Sequence, residues 1–287
     1  MSYEVPYAIG VYIGTGTGTP FIQTGFYPEA LWIVGGTSTP VMYFTTRDKQ
    51  VSDATASAAS VNVYSTTSTS VDLTDSGFIV QGSANSSGVS YYYMALMKSS
   101  LFHTGNYTGN GSAGTLIPLG FKPSFMWIIG ASAWAIKMEN HPTNRISLIN
   151  ANFGSDTTSN GLVFVNQGFK LSASGNVNTN STVYYFVAFK GLEAGLRSTL
   201  GSVVGAGAEI YIHLGERPRF LYGERNDNVR AMFKMDSMST TRSWDVESNT
   251  TNDWNSSLND CTFRENAIKS SSTFLGASGL NRYWVLF

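Results

Sequence analysis

The chain has 287 residues, of which only 37 are Asp, Glu, Lys or Arg against 114 Ser, Thr, Asn and Gly, and its net charge is −1. An aromatic share of 13% excludes a disordered polymer, which buries too little apolar surface to hold such residues. A pI near 6.3 argues against a nucleic-acid partner, whose recognition needs clustered basic charge.

Strong helix formers are scarce, whereas β-branched and aromatic residues are plentiful, so the expected class is all-β. The single cysteine, Cys261, excludes an intramolecular disulfide and reads as a buried thiol. The opening from Met1 to Pro6 lacks the basic and apolar regions of a secretory signal, and no apolar run reaches the ~18–20 residues of a spanning helix. The expectation is a soluble chain made in a cytoplasm, without membrane insertion.

In chain order, a glycine-rich stretch at 14–18 precedes Gly25, Pro28 and an apolar run at 31–34 containing Trp32. Val41 and Tyr43 follow, and an aromatic run at 91–96 closes this part. A second glycine-rich stretch at 109–114 leads to Gly120, Pro123, the apolar run 125–129 with Trp127, then Ile136 and Met138, and a closing aromatic run at 184–189. The third pass opens with glycines at 201–207, continues through Gly215, Pro218, Tyr222, Ala231 and Phe233, and ends in Tyr283 to Phe287. The glycines at 25, 120 and 215 and the prolines at 28, 123 and 218 each keep a step of 95. Such self-similarity predicts an internal repeat.

Proline lacks the ladder donor, so each Pro suits the first residue of a strand or the turn before it. The runs after Pro28 and Pro123 are apolar on both faces, as in strands covered on both sides. Short strands separated by Gly, Ser, Thr and Asn turns predict three tandem, jelly-roll-like β-sandwich units with a pseudo-threefold relation. Their boundaries fall near 98 and 190, giving units 1–98, 99–190 and 191–287. The third unit holds 10 basic and 11 acidic residues, more than half of all charges, and should meet a different neighbour.

Chemical motifs are weak. The stretch Gly109 to Gly114 satisfies G-x-G-x-x-G, but a strand-like segment follows where a dinucleotide site needs a helix N-terminus. His103, His141 and His213 have no metal-face spacing; Glu139 and His141 form at best a weak cation pair and read as a solvated loop. Asp245, Glu247, Asp253 and Asp260 near Trp244 and Trp254 could form a sugar subsite, although carboxylate spacing for glycoside cleavage cannot be read from sequence. Trp134 and Trp254 read as loop aromatics able to stack on a sugar or fill a partner's pocket. No cofactor, metal or catalytic residue is expected.

The order of the glycine-rich segment 107–112, the run from Ile117 to Ile129, Gly168 with Phe169, and the closing run from Tyr184 resembles a β-rich module of tailed-bacteriophage virion proteins. The first unit shares the pattern, with Gly77 and Phe78 in the place of Gly168 and Phe169. The third departs, with Glu216 and Arg217 replacing the Phe-Lys step and Ala267 and Ile268 replacing Gly-Phe. The resemblance implies a virion structural role, not an activity. It places the protein on the particle surface after synthesis in the host cytoplasm, with other virion proteins, its own copies or host-surface glycans as partners. The absence of heptads and Gly-x-y runs argues against a long shaft. Capsid decoration is therefore the expected role, a tail-fibre or baseplate receptor-binding component the alternative, and a polysaccharide-degrading enzyme a distant third.

Overall fold

The computed structural model describes residues 6–35, 41–46, 53–57, 60–61, 70–130, 133–142, 145–149, 155–156, 161–173, 175–190, 198–225, 230–240, 243–247, 261–277 and 279–287. The first stretch of chain forms β1 (Tyr7–Ile13), β2 (Phe21–Gln23), β3 (Pro28–Gly35), β4 (Val41–Thr46), β5 (Asp53–Ser57), β6 (Ser60–Val61), β7 (Val71–Thr74), β8 (Gly77–Val80) and β9 (Ser90–Met97). Next come β10 (Phe102–Thr108), β11 (Leu116–Pro118), β12 (Pro123–Gly130), β13 (Ala133–Met138), β14 (Ile146–Ile149), β15 (Ser155–Asp156), β16 (Leu162–Val165), β17 (Gly168–Leu171) and β18 (Val183–Lys190). The last are β19 (Ser198–Gly205), β20 (Ile210–His213), β21 (Phe220–Glu224), β22 (Arg230–Met235), β23 (Trp244–Glu247), β24 (Cys261–Phe263), β25 (Ala267–Ser270) and β26 (Gly279–Leu286). The class is all-β and sandwich-like, as expected from composition. No helix among the described residues is long and apolar enough to cross a membrane.

Three large antiparallel sheets have the orders β1-β9-β3-β4-β5-β6, β10-β18-β12-β13-β14-β15 and β19-β26-β21-β22-β23. Each is faced by a three-stranded sheet, β2-β8-β7, β11-β17-β16 and β20-β25-β24 respectively. The closing strands β9, β18 and β26 are each paired on both sides, so none is an edge strand. Pro28 and Pro123 begin their strands, and the register with the closing strand shifts immediately after each, where the missing N–H interrupts the ladder. Gly25, Gly120 and Gly215 all have φ near +80°, a conformation that disfavours any side chain, which explains their recurrence.

Side-chain alternation explains the two-faced apolar runs. Leu31 and Ile33 pack with Phe78 and Val80 between the first large sheet and its small partner, while Ala30, Trp32 and Val34 point the other way. Met126 and Ile128 likewise join Phe169 and Leu171, and Leu221 joins Ile268 and the buried Cys261. The opposite faces of all three large sheets meet in one central core that holds Trp32, Trp127, Tyr222 and Trp284 together. Trp32 lies 5.5 Å from Trp127 and 5.3 Å from Phe220, ring centre to ring centre. The three large sheets therefore share one aromatic centre, which tandem order alone did not convey.

Two details of the 95-residue step are corrected. Trp32, Trp127 and Tyr222 face Phe44, Ile136 and Phe233 across the adjoining strand, so the step there is 92 and then 97. Val41, matched to Ile136 by constant spacing, instead faces Gly35, three positions away along the pair. In the closing strands, Tyr7 faces Leu96, Phe102 faces Phe189 and Ser198 faces Leu286, which puts Leu286 rather than Phe287 in the corresponding place.

Candidate functional site

Where the second large sheet meets the third, the turn after β13 lies against β19, β21 and β26. Tyr222 and Glu224 alternate onto the central face of β21, and Arg282 stands directly opposite Glu224 on β26. Ser147 on β14 faces the central-core residue Ile136 and so points toward the same region. Glu224 is thereby enclosed: His141 Nε2 lies 2.8 Å and Arg282 Nη1 3.6 Å from its Oε1. Its other oxygen accepts hydrogen bonds from the Ser147 hydroxyl at 2.5 Å and the Tyr222 hydroxyl at 3.1 Å. The His141 Nδ1 accepts the Met138 backbone N–H at 3.4 Å. Arg282 Nε donates to the Asn140 carbonyl at 3.2 Å, and Asn140 Nδ2 donates to the Gly201 carbonyl at 2.8 Å. Lys137, on the other face of β13 and 3% exposed, donates to the carbonyls of Pro142 and Arg145 at 3.0 and 2.7 Å.

Burial and charge oppose each other in this cluster. Burial pushes the Glu224 carboxyl up, but His141, Ser147 and Arg282 outweigh it and hold the group at about 2. Burial lowers Lys137 to about 8, only partly countered by Glu224. It also lowers His141, with Lys137 and Arg282 adding to the effect against the pull of Glu224. Tyr222 is pushed well above the ordinary phenol range by burial and then by the adjacent carboxylate. The arrangement holds a charged carboxylate beside an imidazole whose burial disfavours protonation. Nothing in it presents a nucleophile or an acid–base pair to solvent.

The third large sheet contacts the first in a related way with different chemistry. Lys234 Nζ donates to the Ser239 carbonyl at 3.0 Å, and the Met235 backbone N–H points at the Met238 sulfur at 3.4 Å. Ser237 donates to the Gly10 carbonyl at 3.2 Å, as Asn140 does to Gly201. Met238 thus stands in relation to Met235 as His141 does to Met138, but it joins the apolar core. The Tyr7 hydroxyl also bonds the Phe287 carbonyl, and the Arg219 guanidinium lies 5.8 Å above the Tyr7 ring.

The sequence-derived candidates fare unevenly. His141 is buried and paired with Glu224, which corrects its reading as a solvated loop beside Glu139; Glu139 pairs instead with Lys122 at 2.5 Å. Trp134 belongs to β13, opposite Ile129 and Ile149, and is not a loop residue: β13 follows Gly130 almost directly. Trp254, Asp253 and Asp260 lie outside the described residues, while Trp244, Asp245 and Glu247 form β23. The Gly109 to Gly114 stretch leads into β11 and is pinned by buried Asn178, whose side chain accepts the Asn110 N–H at 3.0 Å and donates to the Ser112 carbonyl at 3.0 Å. Among the described residues no group of three or more His, Cys, Asp or Glu could hold a metal ion.

Sequence reasoning passed over Glu224, Arg282 and Lys137. For Glu224 and Arg282 the signal was charge at positions that are apolar in the second sheet, since the pair stands where Ile129 faces Tyr185; Lys137 recurs as Lys234 in the third sheet. On the outer side, Phe21, Leu116 and Tyr211 occupy corresponding positions 95 residues apart on β2, β11 and β20, each 40–54% exposed. Leu116 borders an open depression of about 600 Å³ that also involves Lys122, Phe164, Gln167 and Lys170. No protein-family model matches the chain, and no curated protein matches it.

Proposed function

We propose that this chain is a structural protein exposed on the surface of a tailed-bacteriophage particle, acting as a capsid decoration protein. In this reading it consists of three versions of one β module, with boundaries near 98 and 190, closed around a common centre. The observation that carries the proposal is the outward repetition of Phe21, Leu116 and Tyr211. All three are large apolar side chains on edge strands of the small sheets, at matching positions. A rigid body with three spaced apolar contact points is suited to broad attachment on an assembly, where stable interfaces bury roughly 1,200–2,000 Å². The resemblance of the segment 105–190 to virion modules supports the same reading. No catalytic step is assigned.

The test is location and copy number. Quantitative mass spectrometry of purified particles should find the protein at hundreds of copies on heads separated from tails. The open depression beside Leu116, with Lys122 and Lys170 on its wall, favours a second reading as a tail-borne, glycan-binding component. That role would give a few to a few dozen copies on tails. Absence from particles, or turnover of a bacterial polysaccharide by the purified chain, would overturn both.

A further inference from the structure

We infer that the contact between the second and third large sheets is a pH-sensitive joint, closed by neutral His141 and loosened when that imidazole takes up a proton. The geometry commits Nδ1 and thereby fixes the tautomer of the neutral ring. Nδ1 accepts the Met138 N–H, so the ring proton must reside on Nε2, which faces Glu224 at 2.8 Å. Protonation would place an N–H on Nδ1 against the Met138 N–H, replacing a hydrogen bond by a donor–donor contact.

The surroundings add to this. Lys137 on β13, the half-buried Arg145 before β14 and Arg282 on β26 are set against Glu224 on β21; Tyr222 and Ser147 are uncharged donors to it. A positive imidazole would be a further cation in a buried site that already holds more positive than negative groups, without water to screen it. The contact of the third sheet with the first lacks this device. Where the third sheet meets the first, Met238 replaces the imidazole and cannot titrate.

The direction follows from linkage. A histidine that titrates lower when the joint is closed binds its proton preferentially in the open form. The closing free energy is therefore intact above the ordinary imidazole range near 6.5 and declines as pH falls below it. An ordinary open-state imidazole raises the opening equilibrium about tenfold between pH 7.5 and 5.5. Hydrogen exchange on the full chain, corrected for intrinsic rates, should show that change at the Met138 amide and none at the Met235 amide. In an NMR titration His141 should stay neutral in the closed form. His141→Gln keeps a neutral donor toward Glu224 and should remove the pH dependence at Met138. Equal pH responses at Met138 and Met235, or a His141 midpoint near 6.5 with Met138 still protected, would overturn the inference. Those wild-type measurements decide it even if the variant does not fold.

Discussion

Replacing Trp127 with alanine removes the side chain that touches all three large sheets at once. Its ring centre lies 5.5 Å from Trp32 on β3, 5.6 Å from Phe189 on β18, 5.8 Å from Phe220 on β21 and 6.3 Å from Trp284 on β26. Because the site is 7% exposed and walled by rigid rings, the vacated space cannot collapse fully. Deletion of a buried Trp then destabilises by roughly 3–5 kcal/mol, a shift of about 10 °C for a chain of this size. The informative quantity is where the loss appears. A shared core spreads it, so hydrogen exchange should show weakened protection in β3, β18 and β26 alike, with one thermal transition by circular dichroism. Loss confined to β10–β18, with β3 and β26 still protected, would refute the argument that the sheets are stabilised through a common centre.

Glu224→Gln should destabilise at pH 7, because the carboxyl is held well below the ordinary carboxylate range by its donors. That contribution is present above pH 4.5 and fades toward pH 2, so the variant should flatten the acid limb of urea midpoints, and an unchanged limb would contradict the assignment. Lys137 is lowered to about 8 from 10.5, so wild-type stability should rise as pH climbs through that window. Lys137→Met should abolish the rise, measured by the same urea titration. Removing residues 283–287 takes away three fully buried side chains, Trp284, Val285 and Leu286, each worth ~1.5–3 kcal/mol, from a strand paired on both sides. The truncated chain should lose at least its third large sheet; a soluble product with the native melting profile would show that β26 is dispensable.

Much of the β architecture was legible because it rests on local rules. Gly25, Gly120 and Gly215 recur because a positive φ is needed, and Pro28 and Pro123 mark strand starts because they lack a donor. The two-faced apolar runs around Trp32 and Trp127 correctly signalled strands covered on both sides. Periodicity states that a second face is buried but not what buries it, so the common core was invisible. Constant spacing failed at the hairpins, because connections of different length move the register of β4, β13 and β22 without disturbing the strands' composition. Trp134 was misplaced for that reason, since a short connection turns an apparent loop into strand. The charged cluster was missed through a different blindness. Glu224 and Arg282 lie in a charge-rich segment with nothing local to mark them, and only a three-dimensional pairing brings them to His141 of another sheet.

The charge excess of the last third thus has an inward component as well as an outward one. Three similar sheets packed on one core face an assignment problem, because apolar surfaces of like shape accept one another with little discrimination. Glu224 and Arg282 end that ambiguity at one contact. Against His141 and Ser147 they are paired; against a methionine such as Met238 the carboxylate would be buried without those donors, a loss of several kcal/mol. Conversely, His141 set against the pair Ile129 and Tyr185 would find no carboxylate there. Selectivity of this kind comes from the penalty on the wrong pairing more than from the strength of the right one. It follows that the cluster's contribution to net stability is a poor measure of its importance. Replacing all its members by apolar residues of equal volume should be tolerated in stability, yet it should leave the second and third sheets without a chemical reason to choose each other.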